Sequence, residues 1–246
     1  MKHRKLAAVA AAFAGLAAAA PAAAQEPAIQ PGVSIEADGS YCTLAWILDG
    51  PGGTYAATAA HCVAGVGQAI NVASGALMSP IERIGTVAFR GDENTPGRDY
   101  AFILIDSEDL AQVDPALKGW PEIPQGMSTA QTASPGDLIQ FSGHGVGFSL
   151  TQPTQEQRKG ILNVAADASG EHTVIGPVIS GDSGGPVADI TDGNKALGIV
   201  NTVGIGVNTE GLLPTHVGEG GVNLEHALAD AAAQGFGGLT LRTVGG

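Results

Sequence analysis

The sequence predicts an all-β fold, an antiparallel barrel or sandwich with one helix near the C-terminus. Short apolar and β-branched runs recur along the chain and are separated by Gly, Pro, Asn and Asp, which is typical of antiparallel strands joined by turns. Helical segments do not alternate regularly with these runs, as they would around a parallel sheet.

Ten runs are predicted as strands before the helix. They are Cys42–Leu48, Thr54–Ala59, Ala69–Val72, Ile81–Phe89, Ala101–Ile105, Leu138–Ser142, Ile161–Ala165, Thr173–Ile179, Val187–Ile190 and Ala196–Val203. The helix is predicted at Asn223–Ala233, because Asn223 is suited to cap a helix and Gly235 to end it. A last strand is predicted within Leu239–Val244.

Residues 1–24 have the features of a secretory signal peptide. Lys2, Arg4 and Lys5 precede the apolar run Leu6–Ala20, and Ala22–Ala24 suits a cleavage site. The apolar run is shorter than the about 20 residues that span a membrane, and no stop-transfer segment follows. We therefore expect a secreted, extracellular protein that forms one domain over 25–246 and does not bind the membrane after signal removal.

The net charge argues against a nucleic-acid partner. The 246 residues carry a formal charge of −13, and removing the predicted signal, which holds three basic residues and no acidic one, brings it to −16. Phosphate binding depends on clustered Lys and Arg, which this chain does not have. We expect a soluble monomer.

Cys42 and Cys62 are the two cysteines of the chain. In an exported protein, two cysteines predict one disulfide, with two unpaired buried thiols as the alternative. A bridge between them would fix the turn that carries His61.

A serine, a histidine and an aspartate are the candidate catalytic residues. Ser183 lies in the glycine-rich turn Ser180–Pro186, and His61 ends a predicted strand; histidine suits a general base because its pKa lies near neutrality. Asp99 begins an apolar strand, where its carboxylate can orient an imidazole. Asp106 and Asp114 are competitors for that role.

The three motifs together resemble the signatures of chymotrypsin-like serine proteases. They read T-A-A-H-C at His61, R-D-Y-A-F-I at Asp99 and G-D-S-G-G-P at Ser183, in this chain order, and the short bacterial streptogrisin-like branch is most similar. The resemblance implies two six-stranded antiparallel β-barrels, about 40–117 and about 136–246, with the C-terminal helix. Lys118–Pro135 would connect them.

The resemblance also implies a serine endopeptidase that works through an acyl-enzyme without a cofactor or metal. Ser183 would attack the peptide carbonyl, His61 would transfer the proton and Asp99 would orient His61. The backbone N–H groups of Gly181 and Ser183 would form the oxyanion hole.

Two departures from the family pattern concern activation and specificity. No Ile-Val-Gly-Gly start is present to pair with Asp182, so an internal cation, Arg158 or Lys159, is expected to do so, and the enzyme is either organised without processing or trimmed between Gln30 and Ser40. Three residues are predicted to line the substrate pocket: Pro177, Asn201 and Val203. Because none is charged, we expect cleavage after small or medium apolar residues.

Other polar residues are predicted to be structural. His144 takes a position where relatives have tryptophan, and His172, His216 and His226 lack metal-ligand spacing. The acidic stretch Gly91–Asn94 does not match the EF-hand spacing and is read as a solvated loop.

Two rival functions remain. The stretch 181–185 also matches the G-x-S-x-G elbow of α/β-hydrolases, but that fold requires a helix after the serine and the histidine last in the chain. A secreted binding protein on the same protease fold, catalytically silent, is the second alternative, because a fold does not guarantee activity.

Overall fold

A computed structural model describes residues 29–74, 79–144, 157–207 and 214–245. The predicted signal peptide at 1–24 lies outside the described residues. The described chain forms an N-terminal sheet and a C-terminal barrel, both antiparallel, with one α-helix near the C-terminus. The predicted fold class is confirmed.

The N-terminal sheet has eight strands, in the order β14-β3-β4-β7-β6-β5-β1-β2. They are β1 (Ser34–Ala37), β2 (Ser40–Thr43), β3 (Ile47–Gly50), β4 (Gly53–Thr58), β5 (Ala69–Ser74), β6 (Ser79–Arg90), β7 (Ala101–Ile105) and β14 (Thr240–Leu241). The resemblance implied six strands here. The difference arises because the segment before Cys42 adds β1 and the end of the chain adds β14.

The C-terminal half closes into a six-stranded barrel, in the order β10-β13-β12-β11-β8-β9. Its strands are β8 (Leu138–Ser142), β9 (Gln157–Val164), β10 (Glu171–Ile175), β11 (Pro186–Asp189), β12 (Lys195–Val207) and β13 (Pro214–Asn223). In β9, buried and exposed residues alternate, as expected where one face of a strand lines a core. The stretch 118–135 lies in the connection between β7 and β8.

The predicted strand Cys42–Leu48 is divided in the structure. Strand β2 pairs with β1, whereas β3 pairs with β4. Between them, Leu44 N–H donates to Val33 O and Ala45 N–H donates to Ala57 O, so the chain changes partner strands at these residues.

Strand β13 was not predicted, because glycine is usually depleted in strands. Here the glycines are needed for close approach of neighbouring strands. A Cβ atom at Gly218 would lie 2.1 Å from Val174 O, and one at Gly221 would lie 2.0 Å from Ile199 O. Only glycine therefore allows β13 to fit between β10 and β12.

The predicted helix is present as α1 (Leu224–Ala233), and Gly235 follows it with φ +88°. Asn223 occupies the capping position, but its side chain does not cap the helix. Its Nδ2 donates to Ala165 O at 2.8 Å, and its Oδ1 lies 2.8 Å from His172 Nδ1. Within the described ranges, no helix has the length and apolar character needed to cross a bilayer.

The two halves share one buried core, which also packs against α1. Trp46 is fully buried, and its indole N–H donates to Gly198 O at 2.8 Å across the two halves. The residues that form this core from both halves include Leu48, Tyr100, Phe102, Ile199, Val222, Leu224, Ala227 and Ala231. This packing fixes the two sheets relative to each other.

Candidate active site

His61 leaves the N-terminal sheet in a 3₁₀ turn, Ala60–Cys62, directly after β4. Cys62 forms a disulfide with Cys42 on β2, with Cα atoms 6.0 Å apart, which confirms the predicted bridge. The Arg90 guanidinium closes the same turn by donating to Ala60 O at 3.0 Å and Val63 O at 2.9 Å. The turn that presents His61 is thus held on two sides.

Asp99 holds His61 at two atoms. Its Oδ2 lies 2.7 Å from His61 Nδ1, and its Oδ1 accepts the His61 backbone N–H at 2.9 Å. The hydrogen bond and the negative charge of Asp99 raise the pKa of His61 above its usual range, although burial opposes this. The competitors are engaged elsewhere: Asp106 pairs with Arg83, and Asp114 accepts the backbone N–H of Ala116.

The turn around Ser183 depends on two glycines with positive φ, Gly181 at +105° and Gly184 at +83°. It is tied to β12 because Gly184 N–H donates to Val200 O at 2.6 Å. It is tied to β2 because Thr43 N–H donates to Ser183 O at 2.8 Å. The strand β11 follows the serine directly, so the helix required by the α/β-hydrolase alternative is not there, and that alternative is wrong.

The backbone N–H groups of Gly181 and Ser183 donate no hydrogen bond to any residue that the structure describes. The Gly181 carbonyl, by contrast, accepts from Thr43 Oγ1 at 2.9 Å, which fixes the peptide plane on that side. Two free donors on one turn can serve an incoming oxyanion. Within the same ranges, Ser183 Oγ makes no hydrogen bond with His61, a contact that often forms only when substrate binds.

Asp182 pairs with Arg158 inside the C-terminal barrel. Arg158 donates to both carboxylate oxygens at 2.5 Å, and the two side chains are 5% and 0% exposed. Arg158 also donates to Gly143 O at 3.2 Å, and Ile179 N–H donates to Asp182 at 2.8 Å. Of the two cations predicted, the structure selects Arg158, since Lys159 lies over the Trp120 ring instead.

The predicted pocket residues differ in what the structure places around them. Asn201 is buried in a β-bulge of β12, and its Nδ2 donates to the backbone carbonyl of Asp99 at 2.7 Å. Pro177 is exposed, and its carbonyl lies 3.4 Å from Arg158 Nη1. The side chain of Val203 lies outside the described residues. Their roles in substrate binding stay predictions.

His144 is buried, and its backbone N–H donates to Thr43 Oγ1 at 3.0 Å. Burial, assisted by the charges of Lys118 and Arg158, lowers the pKa of its imidazole to about 4. The ring is therefore neutral at physiological pH.

Sequence reasoning missed a partner of His172. His172 is fully buried, with Nε2 3.3 Å from a carboxylate oxygen of the buried Glu219. Glu219 lies opposite Val203 on the neighbouring strand. Glu219 lies in β13, the strand that was not predicted. Neither of its carboxylate oxygens has a hydrogen-bond partner among the described residues.

One group of possible metal ligands lies among the described residues. It consists of Cys42, His61 and Cys62, whose ligand atoms are close enough to share an ion. The disulfide removes both thiolates, which are the metal-binding forms of cysteine. The side chain of His216 lies outside the described residues.

A cavity of about 310 Å³ opens beside His61 on the N-terminal sheet. Its walls include Asp38, Gln68, Arg90 and Glu93, and Arg90 forms an ion pair with Glu93.

No family model and no curated protein matches the chain. Solved structures do match. Protease A from Thermobifida fusca is 20% identical with a TM-score of 0.59, and the match covers 87% of this chain and 98% of that protein. The Nocardiopsis protease NAPase is 19% identical (TM-score 0.55; 87% and 99% covered). A glutamic acid-specific serine protease that uses a histidine triad in substrate binding is also 19% identical (TM-score 0.57; 87% and 100%). The chain therefore has the fold of the bacterial chymotrypsin-like serine proteases.

Proposed function

We propose that this protein is a serine endopeptidase whose catalytic residues are Ser183, His61 and Asp99. The observation that carries the proposal is the double contact of Asp99 with the ring and the backbone of His61. A carboxylate that accepts a hydrogen bond from Nδ1, as Asp99 does, directs Nε2 of the imidazole toward the nucleophile and stabilises the imidazolium that forms. A histidine with only a structural role does not need a carboxylate that contacts both its ring and its backbone.

The reaction follows from these positions. His61 Nε2 accepts the proton of Ser183 Oγ as the oxygen attacks the peptide carbonyl, and then protonates the leaving amine. Water then attacks the acyl-enzyme with His61 again as base, which releases the second product and restores the serine. The free N–H groups of Gly181 and Ser183 stabilise the oxyanion, and one such donor contributes about 3 kcal/mol.

Activity without N-terminal processing beyond removal of the signal peptide is part of the proposal. Arg158 already supplies the cation that holds Asp182, so no newly formed amine is required. Trimming between Gln30 and Ser40 would remove the buried strand β1, and Gln30 itself donates to Ala116 O at 3.2 Å. The protein is proposed to be secreted and to act as a monomer on peptide or protein substrates.

For specificity, we propose cleavage after small or medium apolar residues. Pro177 brings no charge to the predicted pocket, and the carboxylate of Asp182 is paired with Arg158. A library of peptides that differ at the residue before the cleaved bond tests this, and cleavage mainly after Lys, Arg or Glu would contradict it.

A serine-directed fluorophosphonate tests the catalytic proposal. We expect one label per chain in the wild type and none in Ser183→Ala, which removes only one oxygen atom. Ser180→Ala is the matched control, since Ser180 is an exposed serine in the same turn. Absence of labelling in folded, secreted wild-type protein would instead support a catalytically silent binding protein.

A further inference from the structure

The carboxylate of Asp230 on α1 contacts both residues that flank Asp99. Its Oδ1 accepts from Arg98 Nε at 3.1 Å and Nη2 at 2.9 Å, and its Oδ2 accepts from the Tyr100 hydroxyl at 2.7 Å. Asp99 belongs to the N-terminal sheet, whereas α1 follows the last strand of the C-terminal barrel. One side chain from the far end of the sequence therefore holds both sides of the candidate catalytic acid.

Asp99 lies at the centre of a tight turn. The backbone N–H of Tyr100 donates to Arg98 O at 3.0 Å, so the chain reverses over three residues. In so short a turn, the direction of the Asp99 side chain follows the positions of its two neighbours. Holding Arg98 and Tyr100 on one carboxylate fixes that direction.

The contacts of Asp230 have the character of strong ones. Its side chain is only 12% exposed and the Tyr100 residue is fully buried. Burial works to raise the pKa of Asp230, but the Tyr100 hydroxyl and the Arg98 charge outweigh it, so that pKa lies below its usual value. Burial and Asp230 both raise the pKa of Tyr100. At neutral pH the phenol is thus the donor and the carboxylate the acceptor.

Aromatic packing makes α1 a firm support for Asp230. Phe236, just after the helix, stacks on Phe89 with ring centroids 5.2 Å apart and on Phe102 at 6.1 Å. Phe89 in turn stacks on Tyr100 at 5.8 Å. The helix cannot move relative to Tyr100 without disturbing this aromatic cluster. The cluster therefore fixes the position of Asp230 relative to Tyr100.

Other groups of the C-terminal half grip the same segment. Asn201 donates to Asp99 O, and Glu171 accepts the Gly97 backbone N–H at 3.0 Å. A Cβ atom at Gly97 would lie 2.0 Å from Ser169 O, which shows how closely the segment lies against the barrel. Asp230 is distinct among these contacts because it alone joins both neighbours of Asp99.

We propose that Asp230 is a positioning residue, which holds the Asp99 carboxylate in hydrogen-bonding geometry with His61 through Arg98 and Tyr100. This inference rests on the proposed function, in which Asp99 orients His61. Removing the negative charge of Asp230 releases Arg98, weakens the hold on the turn and lets Asp99 move relative to the imidazole.

Asp230→Asn tests the proposal, with Asp49→Asn as a matched control. Asp49 also accepts from one arginine, Arg242, at two atoms and from a hydroxyl, that of Thr54, but it connects β3 to the C-terminal segment. We expect kcat/KM per labelled active site to fall roughly 10-fold in Asp230→Asn, less than the about 100-fold that a displacement of about 1 Å can cost. Asp49→Asn should leave it within about 2-fold.

The second readout is the titration of the His61 ring, followed by NMR in histidine-labelled protein. Because the Asp99 contact raises the pKa of His61, Asp230→Asn should lower that pKa and move the acid limb of kcat/KM to lower pH. Tyr100→Phe, which removes only the hydroxyl, should change both in the same direction by less. It serves as the test variant if Asp230→Asn does not fold.

The NMR titration does not require catalysis. A wild-type protein that is neither labelled nor active would therefore count against the proposed function alone, while the His61 titration still decides the role of Asp230. An unchanged His61 pKa and an unchanged kcat/KM in Asp230→Asn, or in Tyr100→Phe where only that variant folds, would overturn the proposal. The proposal would also be overturned if Asp230→Asn lost as much stability as Asp49→Asn but kept the wild-type His61 pKa and kcat/KM.

Discussion

Breaking the buried ion pair beneath the serine turn should be among the most damaging single changes in the protein. Arg158→Met removes the cation but keeps much of the volume of the side chain. Among the described residues, the Asp182 carboxylate would keep only the Ile179 N–H as a partner while remaining fully buried. An uncompensated buried charge of this kind costs about 3–5 kcal/mol, a large part of the about 5–15 kcal/mol that stabilises a typical domain.

A matched control separates burial from the mere loss of an ion pair. Arg242 also donates to two carboxylate oxygens, those of Asp49, but these side chains are 29% and 47% exposed. Arg242→Met should therefore cost no more than about 1 kcal/mol. Urea unfolding followed by fluorescence gives both free energies of unfolding.

The double variant Arg158→Met, Asp182→Asn isolates the charge. Removing both members of a buried pair can be close to neutral, so this variant should recover most of the stability lost in the single variant. Equal losses of 1 kcal/mol or less in Arg158→Met and Arg242→Met would refute the reasoning. So would a double variant that is no more stable than Arg158→Met.

Three further changes test the site. Asp99→Asn should lower kcat/KM by roughly 10⁴-fold. It should also shift the acid limb of kcat/KM to lower pH, because it weakens the contact that raises the pKa of His61. Stopped assays from pH 5 to 9 measure the rate loss and the shift. His144 has a pKa of about 4 in the folded protein and 6.5 ordinarily, so between these pH values the unfolded chain binds more protons at this residue. The free energy of unfolding should therefore fall by about 3 kcal/mol as the pH drops through this window. In His144→Gln that part of the pH dependence, measured by urea unfolding, should disappear. Gly184→Ala places a Cβ atom 2.2 Å from Thr58 Oγ1 at a residue with a φ of +83°, which strains the serine turn. This variant should lose fluorophosphonate labelling. Labelling at the wild-type level would contradict the argument that the turn requires glycine at this position.

The local parts of the site could be read from the sequence because each is fixed by short-range chemistry. The serine turn needs glycines where φ is positive, and the histidine turn is bounded by a cysteine. The residue types at His61, Asp99 and Ser183 are the ones that the proposed mechanism requires. Two cations, Arg158 and Lys159, were possible partners of Asp182, and the alternation of buried and exposed residues in β9 distinguishes them. Arg158 shares the buried face of β9 with Gly160 and Leu162, whereas Lys159 faces outward.

What the sequence could not supply is the pairing of distant residues. Strand β13 escaped prediction because its glycines serve the approach of neighbouring strands and not a local preference. Asn201 was predicted to line the substrate pocket, and only the structure shows that its amide donates to the backbone carbonyl of Asp99. Asp230 has no sequence signal at all, since it lies 131 positions from Asp99 in a helix with an ordinary pattern.

These long-range contacts make the candidate site depend on both halves of the protein. His61 and its disulfide belong entirely to the N-terminal sheet, and the serine turn belongs to the C-terminal barrel. Asp99 is attached to the first half by covalent structure but is held in place by groups of the second, Asn201 and Asp230. In the proposed mechanism, docking of the two halves therefore both positions the groups that hold Asp99 against the imidazole and joins the serine turn to the N-terminal sheet.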